Sequence, residues 1–136
     1  NKEIALNFKQ VLGAPFFELI RCRSIDGIPI FYETAIIDYD RFKGIDQFDF
    51  AKESLFHILE TKYNTKITHG TESLGITFPT KIESDYLRIN QTTPVYIIQS
   101  LNYDSNNVVT EMTKRIVRAD KVMYVNEYFN ERSRNE

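Results

Sequence analysis

Residues 21–33 read Arg-Cys-Arg-Ser-Ile-Asp-Gly-Ile-Pro-Ile-Phe-Tyr-Glu (RCRSIDGIPIFYE), two β-rich runs hinged on Asp26-Gly27, a strong local hairpin signal. Working outward, Phe16–Ser24 and Ile28–Asp38 are rich in β-branched and aromatic residues and are expected to be the two strands. Residues two apart on a strand share a face, so Arg21 and Arg23 point the same way. Where Glu33 points depends on the turn. A two-residue loop pairs Ile25 with Ile28 and sets Glu33 opposite Ile20, away from the arginines. A three-residue loop closed by Gly27 as a G1 bulge pairs Ser24 with Ile28 and sets Glu33 opposite Leu19, on the arginine face. The bulged register is the expectation, because it gathers Ile20, Cys22, Ile28, Ile30 and Tyr32 on one apolar face. Arg21, Arg23 and Glu33 then lie on the other face with Leu19 and Phe31. Such a charged face is either an exposed surface with ion pairs worth about 0–1 kcal/mol each, or an anion site. Two guanidinium forks suit a phosphate or carboxylate, and a facing carboxylate accepts from hydroxyl or amine donors.

The 136 residues suffice for one domain with its own core, and 42% hydrophobic and 26% charged residues are globular values. A net charge of -2 with scattered basic residues argues against nucleic-acid binding by this chain. The single cysteine, Cys22, excludes an intramolecular disulfide and a thiolate zinc site, and suits a reducing cytoplasm. Cys22 is read as a small buried hydrophobe, and His57 and His69 as ordinary surface or satisfied histidines; neither a metal nor a cofactor is expected. No stretch approaches the ~18 apolar residues of a membrane span. The chain opens on Asn1 rather than Met, as expected of a piece of a longer protein.

Along the chain, Glu3–Leu12 places Ile4, Phe8, Val11 and Leu12 at helical spacing before Gly13 and Pro15. Asp49 is expected to cap a helix with an Ala51, Leu55, Ile58, Leu59 stripe that ends near Tyr63-Asn64. Lys66–Phe78 reads as a strand interrupted at Gly70 and Gly75, and Pro79 opens a short helix running through Leu87. Pro94–Tyr103 and Val108–Val117 are strands joined by a turn at Asp104–Asn107, Lys121–Tyr128 is a further strand, and the polar tail NERSRNE is expected to fray. Helices punctuating hairpin-linked strands without βαβ alternation give an α+β class, an antiparallel sheet with helices packed on it.

Taken in order, these pieces resemble the UTRA domain, the effector-binding half of HutC-type GntR-family transcription regulators, over nearly all of residues 1–136. The resemblance rests on ALNFKQVLGAPFFELIRCRSIDGIPIFYETAII, with its short helix, glycine turn, R-x-R strand, D-G turn and glutamate-bearing strand. It continues in ESLFHILETKYNTKI, YLRINQTTPVYIIQSLNYDSNNVVTE and the R-x-D of RIVRADKVMYV. It implies a chorismate-lyase-like fold without lyase chemistry, hence no catalytic residues, in a cytoplasmic homodimeric repressor. That protein would sense a small anionic effector such as a phosphosugar and reach operator DNA through an N-terminal winged helix-turn-helix absent from this chain. By the same resemblance Arg21, Arg23, Glu33, Ser54, Phe56 and Glu111 are the ligand contacts, Ser54 acting with the helix start. Arg118 and Asp120 match the closing R-x-D and are read as a structural ion pair. Phe56 stands where relatives often carry Tyr, Ala119 where they carry Gly and Lys121 where they carry Arg. Two other readings stand beside the sensor: a small chorismate-lyase-like enzyme, and a ligand-free dimerisation module using Pro94–Tyr103 and Lys121–Tyr128.

Overall fold

The computed structural model describes residues 2–123 together with Val125 and Glu127. A short helix α1 (Lys2–Asn7) precedes the hairpin β1 (Phe16–Ile25) and β2 (Ile28–Asp38). A single 3-10 turn at Ile45–Gln47 follows, then α2 (Leu55–Tyr63), β3 (Ile67–Thr77), α3 (Lys81–Leu87), β4 (Val95–Asp104) and β5 (Val109–Val117). The strands form one five-stranded sheet in the order β1-β2-β5-β4-β3, every neighbouring pair antiparallel. The α+β class with helices packed on an antiparallel sheet is therefore as expected.

The hairpin register combines parts of both alternatives. Asp26 and Gly27 both hold positive φ, 51° and 76°, so the loop has two residues and Ile25 pairs with Ile28. The bulge lies one step further along: Ser24 pairs with Pro29 and Arg23 with Phe31, leaving Ile30 without a partner on β1. Pro29 has no N–H to give the ladder, which favours irregularity there, and the Ile30 carbonyl instead accepts from the Arg118 N–H at 2.9 Å. The expected pairings of Ser24 with Ile28 and of Glu33 with Leu19 are thus corrected. Glu33 stands across from Arg21 and on the same face, as the charge-sorting argument required.

Which face carries the core is also corrected. Phe17, Leu19, Ala35 and Ile37 share the face of Arg21 and Glu33, and Leu55, Ile58 and Leu59 of α2 pack on them with Phe42 and Ile45. Each fully buried side chain of this kind stabilises by roughly 1.5–3 kcal/mol. The opposite face holds a smaller cluster of Leu87, Val95 and Ile116, flanked by Ile89 and Ile97 and covered by α3. Ile20 and Ile28 are 47% and 39% exposed and Cys22 is exposed, so the expected buried cysteine is not found.

Helix boundaries follow local chemistry. The Asp49 carboxylate accepts from the Ala51 N–H two residues on, which closes a turn instead of a helix, and α2 starts only after Ser54. α3 is capped by Thr80, with Glu83 completing a capping box, so Pro79 lies just outside the helix instead of in its first turn. α1 ends at Asn7, leaving Val11 and Leu12 exposed; Phe8 is buried against Phe16 with ring centroids 5.3 Å apart. β3 runs unbroken through Gly70 and Gly75. β4 lies between β5 and β3 and has no free edge, which removes it as a strand-pairing surface between subunits. Lys121, Val122, Met123, Val125 and Glu127 are not in a strand, contrary to expectation; the rest of Lys121–Tyr128 and the tail NERSRNE lie outside the described residues.

Candidate functional site

The core face of the sheet does not stay covered along its length. Past Leu19 and Ala35 the helix no longer shields it, and the next residues in the same rows, Arg21, Glu33 and Phe31, open into a cavity of about 620 Å³. β1 and β2 supply these three. β5 adds Glu111, Thr113 and Arg115, three alternate residues on one face, and β4 adds Ile98, Ser100 and Asn102 in the same way. β3 contributes Gly70, Thr71 and Glu72, and the N-terminal end of α2 contributes Ser54 and Phe56.

At the centre is one carboxylate between two guanidiniums. Glu33 is 4% exposed; its Oε1 lies 2.5 Å from Arg21 Nη2, and its Oε2 accepts from Arg115 Nε at 2.8 Å with Arg115 Nη2 at 2.7 Å. The Arg115 guanidinium also sits 4.6 Å from the centroid of the Phe31 ring. Deeper in, Glu111 is 1% exposed, and its Oε1 accepts from Asn102 Nδ2 at 2.8 Å. Its Oε2 is buried without a hydrogen bond, 3.7 Å from Arg21 Nη2, and the buried Arg21 Nε is likewise without one. Burial pushes the Glu111 carboxyl above its ordinary value. The bond from Asn102 and the Arg21 charge pull it back, and the Glu33 charge adds to the rise. Ser100 and Thr113 share a hydrogen bond between their hydroxyls across β4 and β5.

Chemically, the cavity can offer donors to a ligand from its arginines and acceptors from its carboxylates. Ser54 is the N-cap of α2, yet its hydroxyl makes no capping bond.

Five of the six residues expected from the sequence, Arg21, Glu33, Ser54, Phe56 and Glu111, line this one cavity. Arg23 does not: just before the bulge it lies across from Phe31 and is exposed. Arg118 and Asp120 lie outside it as well. They form a two-pronged ion pair, with Nε to Oδ1 at 3.1 Å and Nη2 to Oδ2 at 2.8 Å, which holds the Asp120 carboxyl below its ordinary value. Arg115, Asn102, Ser100, Thr113 and Glu72 were not anticipated. Alternation from Glu111 would have placed Thr113 and Arg115 on its face.

Residues 1–123 match the sequence model of the UTRA domain family. The chain is 22% identical over 113 residues to the HTH-type transcriptional repressor PhnF of Mycolicibacterium smegmatis, covering 83% of this chain and 46% of PhnF. It thus spans about half the length of that curated relative. Among solved structures it is similar to the C-terminal domain of YurK from Bacillus subtilis, with TM-score 0.88, 26% identity, and 93% and 88% of the two chains covered. The effector domain of PhnF from Mycobacterium smegmatis matches with TM-score 0.79 and 22% identity, over 92% of this chain and 80% of that one. A GntR-family transcriptional regulator from Enterococcus faecalis matches with TM-score 0.81 and 19% identity, over 94% and 91%.

Proposed function

The chain belongs to the UTRA domain family, and on that premise we propose that it is the effector-sensing part of a GntR-type transcriptional repressor, working as a cytoplasmic homodimer. Its ligand is a small anionic metabolite such as a phosphosugar, and binding alters how a separate N-terminal winged helix-turn-helix engages operator DNA. The observation that carries this reading is one cavity lined by the partly exposed guanidiniums of Arg21 and Arg115 beside the carboxylates of Glu33 and Glu111. A ligand with an anionic end and a hydroxyl or amine end finds partners in both kinds of group, whereas an apolar ligand would leave them unpaired.

The named relative is a repressor and the solved neighbours include regulators, which supports sensing over catalysis. The homodimer is supported by a row of exposed apolar side chains on the edge strand β3 and just beyond it: Leu74, Ile76 and Phe78, at 49%, 72% and 63% exposure. Among the described residues no helix is long and apolar enough to cross a membrane.

The test is a thermal-shift and calorimetry panel of hexose 6-phosphates, amino-sugar phosphates, free amino acids and chorismate. One phosphosugar should raise the melting temperature by mass action and bind with a measurable heat. A panel in which no anionic compound binds would sink the reading, and turnover of chorismate would replace it with the lyase.

A further inference from the structure

The row of residues crossing the sheet at Glu33 runs Arg21, Glu33, Arg115, Ile98 over β1, β2, β5 and β4. Glu33 is therefore flanked by a guanidinium on each side, one per carboxylate oxygen. We propose that the anion-holding pair of this chain is Arg21 with Arg115, not Arg21 with Arg23, and that Glu33 is the residue that positions both. The proposal rests on the sensor reading above and names the groups that would carry it.

Three observations converge. First, Arg21 and Arg115 line one cavity together with Glu33, Glu72 and Glu111, so an anion is held there by directed guanidinium N–H groups and not by surplus positive charge. Glu33 has committed both oxygens, so it has little left for a ligand, while each arginine keeps N–H groups to donate. Second, Arg115 is fixed in plane: two of its nitrogens face Glu33 Oε2 and its guanidinium lies over Phe31, so little side-chain freedom is lost on binding. Third, Arg23 lies one cross-strand pair further along the same face, opposite Phe31, yet it is exposed and does not line the cavity. The second cation beside Glu33 therefore comes from β5.

Arginine Nε–H spectra of the 15N-labelled chain, titrated with inorganic phosphate and then with glucose 6-phosphate, read this directly. The Arg21 and Arg115 signals should move and the Arg23 signal should not. In calorimetry Arg115→Gln should weaken whichever of the two anions binds by about tenfold or more, and Arg23→Gln by less than about twofold. An Arg23 signal that moves while Arg115 stays still overturns the assignment, as does full affinity in Arg115→Gln. In either case the sensor reading survives, because an anion is bound. If neither anion shifts any arginine of the unaltered chain, the assignment falls. Should Arg115→Gln fail to fold, the spectra of the unaltered chain decide.

Discussion

Arg21 and Glu33 stand directly across from each other on β1 and β2, the arginine Nη2 2.5 Å from the glutamate Oε1. The pair lies where the core face becomes the cavity wall, so it borders both stability and binding. Arg21→Ala leaves Glu33 with Arg115 as its remaining partner, and Arg21 is itself partly solvated. The expected loss is about 1–2 kcal/mol in urea unfolding, less than for a buried ion with no partner left. Anion affinity in calorimetry should fall by about tenfold or more. A chain that loses stability yet binds as before would make Arg21 purely structural.

Glu111 gives a pH signature. Its folded carboxyl lies above the ordinary value of 4.5, first through burial, so the native chain holds this proton more tightly than the unfolded chain does. The sign follows from linkage: stability contributed by this group declines as pH rises from 4.5 through the raised folded value, then levels off. Glu111→Gln removes that slope while keeping an acceptor for Asn102. Urea unfolding across pH 4 to 8 should show the variant gaining on the unaltered chain as pH rises. Parallel curves would mean that Glu111 holds its proton no more tightly in the folded chain than in the unfolded one.

Asp104 carries the opposite sign. Burial pushes its carboxyl up, but the Val108 N–H, Arg41 and the Asn106 N–H together outweigh this and hold it below 3.8. Its Oδ1 accepts from Asn106 and Val108 in the β4–β5 turn, and its Oδ2 lies 2.5 Å from Arg41 Nη2. This stability is present above 3.8 and is lost as pH falls through the lowered folded value. Asp104→Asn should cost about 1–3 kcal/mol at neutral pH. The difference should vanish in strong acid, where the unaltered side chain is also uncharged. Chemical denaturation at pH 7 and at successively lower pH checks both halves, the difference shrinking as the pH falls.

What the sequence made legible depended on how local the physics was. β1, β2, β4 and β5 were placed to within a residue, because alternation and the turns Asp26-Gly27 and Asp104–Asn107 are written in short stretches. The bulge was misplaced because it depends on Pro29 and on the distant Arg118 N–H that takes the Ile30 carbonyl. The start of α2 was misplaced because Asp49 had two local options, a cap and a turn, and nothing nearby decides between them. Arg115 was open to discovery, since it shares a face with Glu111 by alternation. Nothing in residues 109–117 says which face is roofed by α2, and without that a strand arginine is just another surface charge.

Gly70 and Gly75 both looked like interruptions of β3, yet the packing around them differs. A Cβ on Gly70 would lie 2.6 Å from the Leu101 carbonyl oxygen and would also collide with Asn102 Oδ1, whereas one on Gly75 would meet only Ile97 Cγ2 at 3.5 Å, an ordinary contact. Gly70 is therefore there for close approach to β4, and Gly75 is not. Gly70→Ala should cost about 1–3 kcal/mol, because backbone has to move. Gly75→Ala should be neutral or stabilising by up to about 1 kcal/mol, through the lower freedom of the unfolded chain. The effect of Gly70→Ala should reach the cavity too, since the displaced Asn102 is the hydrogen-bond donor to Glu111. Losing that donor removes one of the interactions holding the Glu111 carboxyl down, so its protonation should move to still higher pH. A side-chain carboxyl titration by NMR that finds Glu111 unmoved in Gly70→Ala would show that β4 absorbs the added methyl without disturbing Asn102.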